Sequence, residues 1–374
     1  MSFNPNWVSS PYNTINEIIS YNNMDKKQLD ESFKEKEIHL DDLLEGKIYI
    51  NKKVASILST VFKNSEEFWI NKQQIYDKRV ELLDSKEKEE WIKSLPIKEI
   101  SEEGFINFKS TNLYKECLNF FGVSNIFDWK VKYIHNSNLS FRKSEGFDST
   151  KSSVISWLRM GELHIKNIKY PKYDRERFEY LLENDIKNLT RKSSPLTFIP
   201  KLIELCYSCG VILSIQKAPK NCKVYGVTKF SPEGNPLMIL SFRYLSDDQF
   251  WFTLFHEAGH IILHEKKLLN FEEESIIEYN EKFTQEEEEA NLFAEEILIP
   301  FQLKNKLFSI NGNKKRLISF SIEANVSPGI VIGQLQNKKI ISHSYLNGYK
   351  RRFNREEINT SFKETIQMLA LASK

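Results

Sequence analysis

Apolar residues recur at helical spacing through the first eighty or so residues, in five short blocks separated by polar breaks. Ile15, Ile18 and Ile19 form the first block. Leu29 and Phe33 follow Asp25, a residue suited to cap a helix start, and Ile38, Leu40, Leu43 and Leu44 are stopped by Gly46. Val54, Ile57, Leu58 and Phe62 predict a fourth helix, and Glu67–Tyr76 a fifth with a bulky apolar face. The pattern predicts a compact helical bundle over residues 1–82. Residues 83–105 are charged, carry Pro96 and read as a linker or exposed helix. Residues 106–170 mix helix-like spacing with the pair Phe120–Phe121, so 83–170 reads as a mainly helical connector.

From about residue 172 the pattern changes. Phe178, Leu181, Leu182 and Ile186 predict a helix, and a second helix ends at Gly210. Three β-like runs follow at Val211–Ile215, Lys223–Thr228 and Leu237–Phe242. An apolar helix starting near Ser246 comes next, with Gln249 placed to complete a capping box.

Composition changes this picture little. In 374 residues, 40% hydrophobic and 28% charged, the formal net charge is +2, which gives no global pull towards nucleic acid or membrane. No apolar run approaches the roughly 20 residues that span a bilayer, and the N-terminus lacks a secretion-signal layout. Four cysteines are too few for a disulfide scaffold and fit a reducing cytoplasm. Cys206 and Cys209 form a C-x-x-C, with Cys222 nearby, but a second pair at zinc-ribbon spacing is missing, so buried thiols are expected. Charge is asymmetric late in the chain: residues 265–300 hold 12 acidic and 3 basic side chains, and 304–355 hold 11 basic and 1 acidic.

The chemistry concentrates in Ser246–His264. His256 and His260 are i and i+4, so both imidazoles share one helix face and can meet one ion. Glu257 lies about 100° round the axis, where it can reach a water bound to that ion and act as its general base. Two histidines and a glutamate in an apolar run would be expensive to bury unpaired. Zinc suits two imidazoles and a carboxylate with an open position. For the third ligand, Glu287 is preferred: with Asn291 at i+4, the helix over Glu286–Pro300 can present a carboxylate to the ion and an amide to support a ligand. Two alternatives are that Glu287 caps its helix three residues beyond Thr284, or that the acidic run is a solvated face. His264 is a rival ligand, but it lies about 12 Å from His256 unless the helix breaks.

His256–His260, Glu287–Pro300, Leu240–Asp248, Val326–Gln336 and Leu346–Phe353 together resemble the ImmA/IrrE family of metallopeptidases over roughly residues 170–353. The resemblance implies one zinc per chain held by His256, His260 and Glu287, with Glu257 catalytic. It also implies cleavage of a DNA-binding repressor or antitoxin-like regulatory protein, in a transcriptional, stress or phage response. The expected fold is α+β. A zincin-like metallopeptidase domain, a small sheet plus metal-binding helix, occupies 171–310, and a basic helical region 311–374. An all-α helix-turn-helix-like domain precedes them.

That first domain is similar to the helix-turn-helix of HigA-type antitoxins through Leu43–Lys47 and Glu67–Asp77. It departs from the pattern at Asp30 and Lys34, and Asp41, Asp42 and Glu45 on the recognition segment Glu37–Glu45 would repel phosphate. A protein-binding or dimerisation role is therefore preferred to DNA reading. Lys314, Lys315, Arg316, Lys350, Arg351 and Arg352, interleaved with Tyr345, Tyr349 and Phe353, suit either a single-stranded nucleic acid acting as activator or a solvated basic face. The run Leu237–Phe242 is a candidate to take a substrate as an added strand, and Arg243 to stabilise an oxyanion. A cytoplasmic location, a protein substrate, no membrane partner and a homodimer complete the expectations. The competing reading is a non-catalytic, antitoxin-like transcriptional regulator with a structural zinc.

Overall fold

A computed structural model describes residues 10–135 apart from Glu35, Glu37, Glu45, Lys47 and 82–84, residues 149–270 apart from Pro232, and residues 285–373 apart from Asn311. Its contacts divide into two compact units, the first taking described residues up to Ser152 and the second starting at Ser153.

The first unit is helical. α1 (Pro11–Tyr21), α2 (Lys26–Lys34), α3 (Leu40–Leu44), α4 (Lys52–Phe62) and α5 (Glu66–Glu81) coincide with the five periodic blocks. Ser10 and Asn51 cap α1 and α4 by accepting from the amides of Asn13 and Val54 at 3.2 and 3.0 Å. Ile15, Phe33, Leu43, Leu58 and Trp69 are buried together. Of the two expectations for 83–105, a linker or an exposed helix, the described residues show helix: α6 (Ser85–Ser94) and α7 (Ile97–Glu102), which bury Trp91 and Ile100. The Trp91 ring meets Phe121 of α8 (Leu113–Phe121) and Trp129 of α9 (Ile126–Lys130), with centroids 6.0 and 5.7 Å apart. A buried aromatic contributes about 1.5–3 kcal/mol, and Leu95 and Ile100 are buried along the same segment.

α10 (Ser149–Ile165) leads into the second unit, and α11 (Arg175–Leu181) continues through a π-helical turn at Leu182–Ile186 into the three-residue α12 (Lys187–Leu189). α13 (Pro195–Ser208) ends at Cys209 and Gly210, the latter at φ +77°. Three short strands follow: β1 (Ile212–Ile215), β2 (Gly226–Phe230) and β3 (Pro236–Leu240). The sheet order is β1-β3-β2, with β1 parallel and β2 antiparallel to β3. Alternate residues feed two cores. Ile212, Leu237 and Ile239 meet Val154, Trp157 and Leu158 of α10, whereas Leu213, Met238 and Leu240 join the main core. Both faces are buried, which explains the near-continuous apolar runs in the sequence. The run expected to receive a substrate strand is β3, and its two edges are already paired. β2 is an outer strand of the sheet.

α14 (Asp247–Asn270) and α15 (Gln285–Leu298) then pack as a pair, followed by α16 (Lys304–Phe308), α17 (Lys314–Glu323), α18 (Pro328–Asn337) and α19 (Arg355–Ala372). The expected Ser246–Gln249 box is replaced by a denser knot. Ser246 donates to Asp248 Oδ1 at 2.7 Å, and Asp247 accepts from Ser327 Oγ at 2.7 Å and from the Arg351 amide at 3.1 Å. Lys350 Nζ reaches Asp248 Oδ2 at 2.6 Å and Gln336 Oε1 at 2.7 Å. Two carboxylates at a helix N-terminus also meet its positive dipole end. Three separate sequence motifs thus converge to fix the start of α14. Among the described residues, no helix is long and apolar enough to cross a membrane.

Candidate metal centre

One face of α14 carries Leu254, Phe255, Ala258, Ile261 and Ile262 into the core, which anchors the helix. His256 and His260 lie on the face towards α15. That approach is close: a Cβ on Gly259 would stand 3.1 Å from the Cα of Ala290. Small residues at Gly259, Ala290 and Ala294 let the two helices meet and bring Glu287 across to the histidines.

The resulting geometry is tight. The Nε2 atoms of His256 and His260 are 3.1 Å apart. Glu287 Oε2 is 3.3 Å from His256 Nε2, and its Oε1 is 3.3 Å from His260 Nε2. Donors about 2.0–2.1 Å from a tetrahedral zinc would be spaced about 3.3 Å apart, so the trio has the right span. It is also a group of metal-ligating side chains with all its donor atoms within 4.8 Å of one another. The tautomers agree. Asn291 Oδ1 lies 3.0 Å from His256 Nδ1 and can only accept, so that nitrogen carries the proton and Nε2 presents a bare lone pair.

Burial pulls protonated His256 down, but its hydrogen bond to Glu287, the charges of Glu257 and Glu287, and its hydrogen bond to Asn291 together hold its pKa above the usual histidine value. The hydrogen bonds from His256 and His260 hold the Glu287 carboxyl far below the usual range.

Glu257 points the other way round the helix, to β2. Thr228 Oγ1 donates to Glu257 Oε2 at 2.8 Å. Gly226 leaves space for the same carboxylate, since a Cβ there would lie 2.6 Å from Glu257 Oε1. Burial raises the Glu257 pKa, partly offset by the charges of His256 and His260 and by Thr228. Neither Gly226 nor Thr228 was visible as functional in the sequence, because both lie about thirty positions from Glu257 on a strand marked only by its apolar pattern.

Residues 215–326 match the model of the Peptidase M78 family, the IrrE N-terminal-like domain. This region is an IrrE N-terminal-like domain. The family is one of metallopeptidases, and the His256–His260–Glu287 cluster of this IrrE N-terminal-like domain suits the metal that implies. No curated protein and no solved structure matches the chain.

The remaining candidates fall elsewhere. His264 does not join the trio: its Nδ1 faces His260 Nδ1 at 3.1 Å and its Nε2 faces Glu289 at 3.0 Å. Arg243 donates to the Cys222 carbonyl at 3.4 Å and lies over the Tyr225 and Tyr244 rings, with no contact to the trio or Glu257. Lys350 is buried against Asp248, and Arg351 donates to the carbonyls of Thr190 and Lys192, so these two cations serve the scaffold. Phe353 is core, whereas Lys314, Lys315, Arg316, Arg352, Tyr345 and Tyr349 are exposed. Cys206, Cys209 and Cys222 are buried free thiols, with burial pushing Cys209 and Cys222 up to about 11. Thr284, the alternative cap for Glu287, lies outside the described residues, as do Glu37 and Glu45 of the recognition segment.

Proposed function

We propose that the protein is a zinc-dependent endopeptidase of the ImmA/IrrE type that cleaves a protein substrate, a DNA-binding repressor or antitoxin-like regulator. The observation that carries this reading is the convergence of three metal-ligating side chains, with donor atoms 3.1–3.3 Å apart, and of Glu257 on the residue after His256. Three protein ligands leave a tetrahedral ion one open position, whereas a structural zinc is closed by four. Among the described residues the cluster has three ligands, and that count supports catalysis over the regulator reading.

His256, His260 and Glu287 would hold zinc, which when bound lowers the pKa of water to about 7 and polarises a carbonyl. Glu257 accepts a proton from the attacking water at its carboxylate and returns it to the leaving amine. Thr228 holds one carboxylate oxygen, and burial raises the proton affinity of Glu257 above that of an ordinary carboxylate, which suits a proton shuttle. Asn291 keeps His256 in the tautomer that offers Nε2.

The test is Glu257→Gln in the full chain, assayed against repressors encoded beside its gene, with and without single-stranded DNA. The variant keeps every ligand, so it should retain zinc and substrate binding and lose cleavage by at least the roughly 10²-fold typical of a missing general base. Wild-type behaviour of Glu257→Gln in cells, together with loss of function on deleting residues 1–82, would favour the regulator reading.

A further inference from the structure

Behind His260 lies a second set of polar contacts that the proposed chemistry does not use. His264 is buried, one helical turn beyond His260, at the point where α14 leaves regular helical dihedrals (φ −117°, ψ 15°). Its Nε2 is 3.0 Å from Glu289 Oε2 and its Nδ1 is 3.1 Å from His260 Nδ1. An ionised carboxylate only accepts, so His264 donates from Nε2 and, when neutral, offers a bare Nδ1. That lone pair accepts from the Nδ1–H of His260. His260 is then left with its own lone pair on Nε2, the atom that faces His256 and Glu287.

We propose that His264 and Glu289 are positioning residues, a carboxylate–imidazole relay that fixes the tautomer and ring orientation of His260 for the metal. This rests on the metal reading above. The two ligand histidines are thereby supported differently. Asn291, a neutral amide, holds His256 directly, whereas His260 is held by a second imidazole that a carboxylate anchors. A partner that accepts from the far nitrogen of a ligating histidine orients the ring and raises its basicity. The relay also accounts for a histidine whose two ring nitrogens both face away from Glu287, the ligand it might have replaced. Glu289 and Glu287 lie on the same helix and have different tasks.

The test titrates zinc into the metal-free full-length chain in competition with a chromophoric chelator. His264→Ala should weaken zinc binding about 10–100-fold, the range for lost supporting partners, and Glu289→Gln should weaken it less. His264→Gln should recover part of the loss, because its amide oxygen can accept from His260 Nδ1. Glu288→Gln should match wild type. Nitrogen-15 spectra of the zinc-loaded protein should show a single Nδ1-protonated form of His260 in wild type and altered His260 signals in His264→Ala. Should His264→Ala fail to fold, Glu289→Gln decides the matter from the half-exposed end of the relay. Wild-type affinity and spectra in the relay variants, with zinc lost in His256→Ala, would overturn the relay and leave the metal site standing. Wild-type affinity in His256→Ala would instead overturn the metal reading itself.

Discussion

Two polar clusters, one in each compact unit, are built in opposite ways. In the first, Tyr76 donates to Asp128 at 2.7 Å, and Asn125 donates to both, tying α5 to α9 among tryptophans and phenylalanines. The Tyr76 hydroxyl and the Asn125 amide there donate to acceptors inside the protein. In the second unit, the imidazoles of His256 and His260 turn their Nε2 atoms towards each other beside one carboxylate. Their other nitrogens are already supplied, so the arrangement is complete only with a cation between them. A closed polar knot stabilises a fold, and an open set of convergent lone pairs prepares a site for something else.

The contrast can be broken most forcefully at Glu287. Glu287→Gln should weaken zinc binding by more than the roughly 10–100-fold seen for supporting partners, measured by chelator competition, while the fold survives. Gly226→Ala comes next. A methyl group there meets the Glu257 carboxylate, so cleavage should fall by about 10²-fold with zinc retained, read from kcat and metal content together. Thr228→Val keeps the shape and removes the hydrogen bond, which should cost about tenfold in kcat, the lower end of the 1.5–3 kcal/mol for a bond to a charged group.

Tyr76→Phe sharpens the other side of the comparison. It should lower stability by about 1–3 kcal/mol by removing one of two side-chain donors to the half-buried Asp128 carboxylate and the acceptor of Asn125, seen as a lower denaturant midpoint, and leave zinc affinity unchanged. The mildest effect is on pH. A proton and zinc compete for the His256 lone pair, and Glu287 and Glu257 hold the pKa of His256 above its usual value. Zinc affinity should therefore be full above that raised pKa and fall as pH drops through it, by at most about tenfold per unit for one displaced proton. Affinity that rises on acidification would contradict this.

Much of this was legible in the sequence, because local spacing encodes local geometry. The i, i+4 repeat of Ile15 and Ile19, or of His256 and His260, fixes a shared helix face without further information. The family likeness read from His256–His260 and Glu287–Pro300 agrees with the matched region 215–326. What escaped depends on through-space contact. Trp91 sits in a charged stretch that read as a linker or exposed helix, yet its ring is fully buried against Phe121 and Trp129. Lys350 read as nucleic-acid-binding or solvated until the fold joined it to Asp248, and the spacing gave no sign that Asp247 accepts from Ser327 and the Arg351 amide. Gly226 matters only because Glu257 passes beneath it. His264 was considered as a ligand, but helical spacing alone cannot show that Glu289 claims its other nitrogen.

The most direct measurement is the metal content of purified full-length protein, wild type beside His256→Ala, by elemental analysis. The account predicts about one zinc per chain in wild type and essentially none in the variant, with the helical circular dichroism of both alike. Equal zinc in the two proteins would contradict it.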